Sequence, residues 1–73
     1  MKYQDIIDSW INGQKKQCAR QYLELLDYDT RKEFAAYCEI VQFENYSKLL
    51  EYVIEYTLKD LRDNYVQKDI YEY

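Results

Sequence analysis

The sequence predicts an all-α fold, a small compact bundle of three to four helices. Apolar residues recur at the i, i+3, i+4, i+7 spacing along almost the whole chain. No segment alternates apolar and polar residues for long enough to form a half-buried strand. Proline is absent and Gly13 is the only glycine, so few positions interrupt helices or separate domains. A chain of 73 residues is therefore expected to form one helical domain, residues 1–73.

The first predicted helix covers residues 3–12. Its apolar residues follow the spacing of one helical face: Tyr3, Ile6, Ile7, Trp10 and Ile11. Asn12 and Gly13 follow, and both residue types adopt the left-handed conformation that ends a helix. The helix is therefore expected to stop at this pair.

The second predicted helix covers residues 14–27. Its inward positions are Cys18, Ala19, Tyr22, Leu25 and Leu26. The segment Asp27-Tyr28-Asp29 interrupts this pattern and contains two residues that favour helix caps. The interruption predicts the boundary before the third helix.

The third predicted helix covers residues 30–43. Thr30-Arg31-Lys32-Glu33 has the form of a capping box, in which Thr30 and Glu33 each accept a hydrogen bond from a free backbone amide. Its inward positions are Phe34, Tyr37, Cys38 and Val41. Ile40 and Phe43 fall off this face, and the pattern allows them either to meet the fourth helix or to lie exposed.

The fourth predicted helix covers residues 47–68 and is the longest. Asn45 or Ser47 can cap it, and residues 43–46 form either a loop or a kink within one longer helix. Its apolar stripe consists of Leu49, Leu50, Val53, Ile54, Thr57, Leu58, Leu61 and Tyr65. The opposite polar stripe consists of Lys48, Glu51, Glu55, Lys59 and Arg62. Residues 69–73 are expected to fray or to dock elsewhere.

The residue types argue against catalysis and metal binding. Histidine is absent, which removes the usual base of nucleophilic catalysis. Cys18 and Cys38 cannot supply the four ligands of a structural zinc site, and they are expected to be packing residues. No apolar run reaches membrane-spanning length, and the N-terminus lacks the apolar stretch of a signal peptide. We therefore expect a cytoplasmic, non-enzymatic protein without a cofactor.

Ten tyrosines favour a protein-binding surface, because tyrosine provides a large rigid contact area with a polar tip. Tyr22, Tyr37 and Tyr65 lie on or beside predicted inward faces and are expected to be structural. The predicted partner-binding residues are Tyr28 and Tyr46 in loops, Tyr52 and Tyr56 on the fourth helix, and the acids Glu51 and Glu55. Tyr71 and Tyr73 in the tail are further candidates.

The charges are unevenly distributed. The chain has a net charge of −4, but residues 9–23 contain three bases and no acid, a local charge of +3. The predicted anion-binding residues are Lys15, Lys16, Arg20, Arg31 and Lys32. Four of them begin predicted helices, where the helix dipole disfavours cations, so they either receive an anion or are tolerated surface charges. A helix-turn-helix-like contact with nucleic acid is a further alternative, although a pI near 4.7 opposes it.

These features predict an acidic, tyrosine-rich interaction module that binds and occludes another protein. Its acids suit a partner with a basic surface, such as a nucleic-acid-binding defence protein. Acidic proteins of this size are often phage or mobile-element inhibitors of host machinery, an analogy of size and composition. The alternatives are a self-associating structural or regulatory protein, a homodimer through the tyrosines and the last helix, and a weak nucleic-acid-binding protein.

Overall fold

The computed structural model describes residues 2–66, and they form an all-α bundle, as predicted. Within this range the helices are α1 (Lys2–Ile11), α2 (Lys15–Leu23), α3 (Tyr28–Ile40) and α4 (Tyr46–Leu61). A π-helical turn, Arg62–Val66, continues α4. The side chain of Tyr65, the predicted end of the fourth helix at residues 67–68, and the tail with Tyr71 and Tyr73 lie outside the described residues.

The core lies where the four helices meet around one phenylalanine. The buried apolar residues are Ile6, Ile7, Cys18, Ala19, Tyr22, Leu25, Phe34, Cys38, Leu49 and Val53. The Phe34 ring has its centroid 5.7 Å from that of Tyr3, 5.8 Å from that of Tyr22 and 5.6 Å from that of Tyr46. These three rings come from α1, α2 and α4, so Phe34 of α3 joins all four helices.

Helix α1 ends as predicted at Gly13, whose φ is +79°. The Gln14 amide donates to the Ser9 carbonyl over 2.8 Å and the Gly13 amide donates to the Trp10 carbonyl over 3.1 Å, the pattern of a Schellman motif. The prediction that Ile11 points inward is wrong, because this side chain is exposed. Ile11 is the last residue of α1. Helix α2 packs against the earlier turns, which contain the buried Ile6 and Ile7.

The boundary between α2 and α3 differs from the prediction. Helix α2 ends at Leu23, so the predicted inward residue Leu26 lies between helices and is exposed. Asp27, rather than Thr30, caps α3: its Oδ1 accepts a 2.7 Å hydrogen bond from the Thr30 amide. This bond to the ionised carboxylate lowers the pKa of Asp27. Glu33 takes no part in a capping box and instead accepts a 3.1 Å hydrogen bond from the Tyr3 hydroxyl.

The chain turns between α3 and α4, so residues 43–46 contain a loop and not a kink in one long helix. Gln42 adopts φ +55°, and the Phe43 amide donates to the Cys38 carbonyl over 2.9 Å. This is a second Schellman motif, built without glycine. It ends α3 earlier than predicted and leaves Val41, predicted inward, exposed. Phe43 packs against the core, whereas Ile40 is exposed.

Polar contacts fix α1 against its neighbours. Ser9 is buried, and its hydroxyl donates to Gln21 Oε1 of α2 over 2.8 Å. The Tyr37 hydroxyl of α3 donates to Gln4 Oε1 over 2.6 Å, so Tyr37 has the structural role predicted for it. None of the helices in residues 2–66 is long and apolar enough to cross a bilayer.

Candidate functional site

A cleft between α2 and α4 brings together residues from both groups that the sequence singled out. We call it the tyrosine cleft, and its volume is about 450 Å³. The residues that line it are Lys16, Arg20, Tyr52, Glu55, Tyr56, Lys59, Asp60 and Asp63. Two of them come from α2, and the others come from α4 and the π-helical turn that follows it.

Aromatic rings form one wall of the tyrosine cleft. Tyr52 and Tyr56 lie one helical turn apart, and their rings stack with centroids 6.3 Å apart and an interplanar angle of 26°. Trp10 of α1 meets the edge of Tyr52 with centroids 6.1 Å apart. The three half-buried rings therefore form a continuous row across α1 and α4.

A cation contacts each end of this aromatic row. The Lys15 ammonium lies 5.0 Å from the centroid of the Trp10 ring, within the range of a cation–π contact. At the other end, Arg20 Nε donates a 3.1 Å hydrogen bond to the Tyr56 hydroxyl. This hydrogen bond, with a smaller contribution from Asp60, raises the pKa of Arg20. The rings and their flanking cations are thus held by contacts within the chain.

The charged lining of the tyrosine cleft contains three bases and three acids. The bases are Lys16, Arg20 and Lys59, and the acids are Glu55, Asp60 and Asp63. Arg20 donates to the Tyr56 hydroxyl, and all six charged residues are exposed. Such an arrangement can stack against a planar or apolar group and bind cations beside it. Among residues 2–66, no three cysteine, aspartate or glutamate side chains converge as a metal-ligand set.

The other predicted partner-binding residues lie outside this cleft. Tyr46 is the first residue of α4, not a loop residue, and it packs against Phe34. Its burial raises the pKa of its hydroxyl to about 12. Tyr28 is the first residue of α3, also not in a loop, and is 77% exposed. Glu51 is exposed on α4 but does not line the cleft.

The five predicted anion-binding residues are distributed over different surroundings. Lys16 and Arg20 line the tyrosine cleft, and Lys15 lies over the Trp10 ring. Arg31 instead connects α2 to α3. Its Nε donates to the Leu25 carbonyl over 2.7 Å, and its guanidinium lies 5.4 Å from the centroid of the Tyr22 ring. Lys32 is exposed on α3. Anion binding by the full set stays a prediction.

A second surface is apolar and lies on a different side of α4. We call it the α4 apolar face, and it consists of Leu50, Ile54, Leu58 and Leu61. Ile54 is 60% exposed, Leu58 is 61% exposed and Leu61 is 47% exposed. Leu50, Ile54 and Leu58 of this face line a groove of about 370 Å³ beside α2. The other residues that line the groove are Tyr22, Leu23, Arg31, Val53 and Thr57.

The prediction that the whole α4 stripe points inward is therefore wrong for its C-terminal part. Leu49 and Val53 are buried, whereas Ile54, Leu58 and Leu61 are not. The reason is direction around the helix: at about 100° per residue, Ile54, Leu58 and Leu61 lie roughly 120–180° away from Leu49. Helix α2 packs against a different side of α4 and extends to its C-terminal end, where Lys16 lines the cleft with Asp60 and Asp63.

Sequence reasoning missed four contributors to the tyrosine cleft. Trp10 is predicted only as part of the apolar face of the first helix, and Lys59, Asp60 and Asp63 are not among the predicted site residues. A signal was available, because the spacing of Tyr52, Tyr56, Asp60 and Asp63 places them along one side of a helix. The contribution of Trp10 has no such signal, since it reaches the cleft only through packing of α1 against α4.

Comparison of the chain with protein-family models, curated proteins and solved structures gives no match.

Proposed function

We propose that the protein is a non-enzymatic interaction module that binds a partner protein at the tyrosine cleft and occludes the surface it covers. The supporting observation is the row formed by Trp10, Tyr52 and Tyr56, held in place by Arg20. Aromatic rings that are fixed before binding supply contact area at a low cost in conformational entropy. The row is therefore suited to anchor a partner.

The charges favour a partner with a basic surface. The chain has a net charge of −4, and Glu55 and Asp63 are exposed at the tyrosine cleft. Complementary charge accelerates encounter and disfavours acidic competitors. Carboxylates that stand in for phosphates would block the binding cleft of a nucleic-acid-binding protein. The analogy with phage and mobile-element inhibitors extends this proposal to a host defence protein of that kind in the cytoplasm.

The test is affinity capture from candidate host lysates with the parent chain and with Glu55→Lys/Asp63→Lys. Both positions are exposed, so the variant is expected to keep its helical circular dichroism spectrum. A captured protein should bind the parent stoichiometrically and bind the variant at least about 10-fold more weakly, because two attractive contacts become repulsive. Binding that is equal for both chains would contradict the proposal.

The matched control is Glu39→Lys/Glu44→Lys, which changes the net charge by the same amount at exposed acids away from the tyrosine cleft. This control should retain binding apart from a modest change in association rate. A loss as large as that of the cleft variant would mean that overall charge, and not the cleft, determines affinity.

Binding of single-stranded nucleic acid is the second candidate, because Lys16 and Arg20 lie beside stacked tyrosine rings. Bases stack on aromatic side chains while cations contact the phosphates. This function predicts that a labelled oligonucleotide binds in a fluorescence-anisotropy titration, with affinity that falls steeply with salt and is lost in Lys16→Glu/Arg20→Glu. An unchanged anisotropy at low salt would exclude it.

A further inference from the structure

We propose that a second copy of this chain packs on the α4 apolar face, with the two α4 helices antiparallel about a twofold axis. This inference goes beyond the proposed function, since its apolar contact lies on a different side of α4 from the tyrosine cleft, although Glu55 borders both surfaces. A helix face that leaves Ile54, Leu58 and Leu61 about half exposed is typical of a protein contact surface. A twofold contact uses the same surface on both copies, so it must be self-complementary.

The charges beside the α4 apolar face have this self-complementary order. At about 100° per residue, Ile54 and Leu61 lie on one side of Leu58, and the charged residues lie within about 60° on the other side. Those charged residues are Glu51, Glu55 and Arg62, and all three are exposed. Arg62 keeps right-handed helical dihedrals, so it continues the edge begun by the two glutamates. The edge is acidic toward the start of α4 and basic at its end.

An antiparallel arrangement pairs these opposite charges. When Ile54 of one copy lies opposite Leu61 of the other, Arg62 lies opposite residue 53 of the other copy. Glu51 and Glu55 are the charged positions on either side of that point, so each Arg62 lies between two carboxylates of the second copy. A parallel twofold arrangement would instead place this charged edge against the opposite edge of the second helix, which carries Leu50 and Thr57, so these charge pairs would not form.

The remaining charges near the end of α4 do not oppose this contact. Lys59, Asp60 and Asp63 line the tyrosine cleft, on the side of α4 that faces α2. The cleft therefore stays open when two α4 apolar faces meet. A dimer of this kind presents two clefts to a partner.

The first test is the solution mass of the full chain by light scattering from roughly 1 μM to roughly 1 mM. We expect a reversible monomer–dimer equilibrium within this range. Leu58→Glu places a carboxylate in the contact and should raise the dimer dissociation constant by at least about 100-fold. The matched control is Ile40→Glu, which introduces the same charge at an exposed isoleucine that ends α3 and should leave the equilibrium unchanged.

The second test uses two charge-reversed chains, Arg62→Glu and Glu51→Lys/Glu55→Lys. Each variant alone places like charges opposite one another in the antiparallel register, so each should be monomeric where the parent is dimeric. An equimolar mixture restores both sets of opposite charges and should form a heterodimer. All substituted positions are exposed, so circular dichroism should show folded monomers before mixing.

Three results would overturn the proposal. One is a monomeric parent at every concentration, which would leave the α4 apolar face to residues 67–73 or to another protein. A second is a dimer that Leu58→Glu does not weaken. The third is failure of the two charge-reversed chains to associate when each alone has lost dimerisation. Leu58→Glu leaves every residue that lines the tyrosine cleft unchanged, so partner capture by this variant distinguishes failure of the dimer from failure of the cleft proposal.

Discussion

The two halves of α4 have the same kind of apolar pattern but different surroundings. In the first half, Leu49 is completely buried and Tyr46 packs against Phe34. In the second half, Leu58 and Leu61 lie roughly 120–180° around the helix from Leu49, and about half of each side chain is exposed. An apolar stripe thus shows which residues of a helix are able to pack, but the sides on which neighbouring helices lie determine which of them do so.

This difference separates a stabilising region from a binding region within one helix. Burial of apolar surface stabilises the fold by roughly 25 cal/mol for each Å² removed from water. The first half of α4 gains this stabilisation within one chain. The second half can gain it only from a partner that covers it, and for this reason we place the proposed dimer contact there.

The largest expected effect comes from truncating one leucine in each half. Leu49→Ala removes a fully buried side chain and should lower the free energy of unfolding by about 2–5 kcal/mol. Leu58→Ala should change it by no more than about 0.5 kcal/mol at concentrations at which the chain is monomeric. Urea unfolding followed by circular dichroism measures both. Equal losses would show that the two halves of α4 are covered alike.

A smaller effect is expected at the two helix ends that adopt left-handed conformations. The space around a Cβ at Gly13 is open, so Gly13→Ala should cost only the backbone term, roughly 1–2 kcal/mol. Gln42→Gly relieves the same strain before α4 and should raise the free energy of unfolding by roughly 0.5–1 kcal/mol.

The stabilised Gln42→Gly chain also sharpens the comparison of the two leucines. If Leu49→Ala is too unstable to fold in the parent, the same substitution in this chain gives a measurable unfolding transition. A decrease in the free energy of unfolding for Gln42→Gly would contradict this expectation. It would show that the Gln42 side chain stabilises the fold by more than its left-handed backbone conformation destabilises it.

The smallest effect at neutral pH is expected from Tyr46→Phe in the covered half of α4. The folded pKa of Tyr46 is about 12, above the ordinary value of 10.0, and those of the Cys18 and Cys38 thiols are about 11, above 9.0. In each case burial is the main cause. The unfolded chain therefore ionises first as the pH rises, so stability is full below pH 9 and decreases between pH 9 and 12.

Tyr46→Phe should remove the part of this decrease that develops between pH 10 and 12 and should keep the earlier part from the two thiols. Thermal unfolding at intervals of pH measures both parts. An unchanged pH profile would indicate that the Tyr46 hydroxyl reaches water in the folded chain.

The helix ends show how far local sequence signals determine the fold. Asn12-Gly13 was sufficient to locate the end of α1, because the conformation of one glycine produces it. Between α2 and α3 two capping signals competed, at Asp27 and at Thr30. Asp27 caps the helix while Glu33 bonds to Tyr3 and Arg31 bonds to Leu25, contacts that a capping box does not predict.

The tyrosine cleft was only partly predictable, because local signals do not indicate contacts between separate helices. Tyr52 and Tyr56 lie on one helix, so their spacing placed them on neighbouring turns. Their contacts with Trp10 and Arg20 join residues more than 30 positions apart in the sequence. No local pattern indicates which tyrosine receives a cation and which packs in the core, as Tyr46 does.

The sequence by itself determined that the chain is helical, which side of each helix is apolar and where α1 stops, because these properties depend on residues within about one or two turns. Only the tertiary structure decided that Leu49 is covered and Leu58 is not, and that Lys16 and Arg20 meet Tyr52 and Tyr56 in one cleft. Those outcomes depend on where separate helices pack against one another. Spacing within a single helix carries no information about that packing.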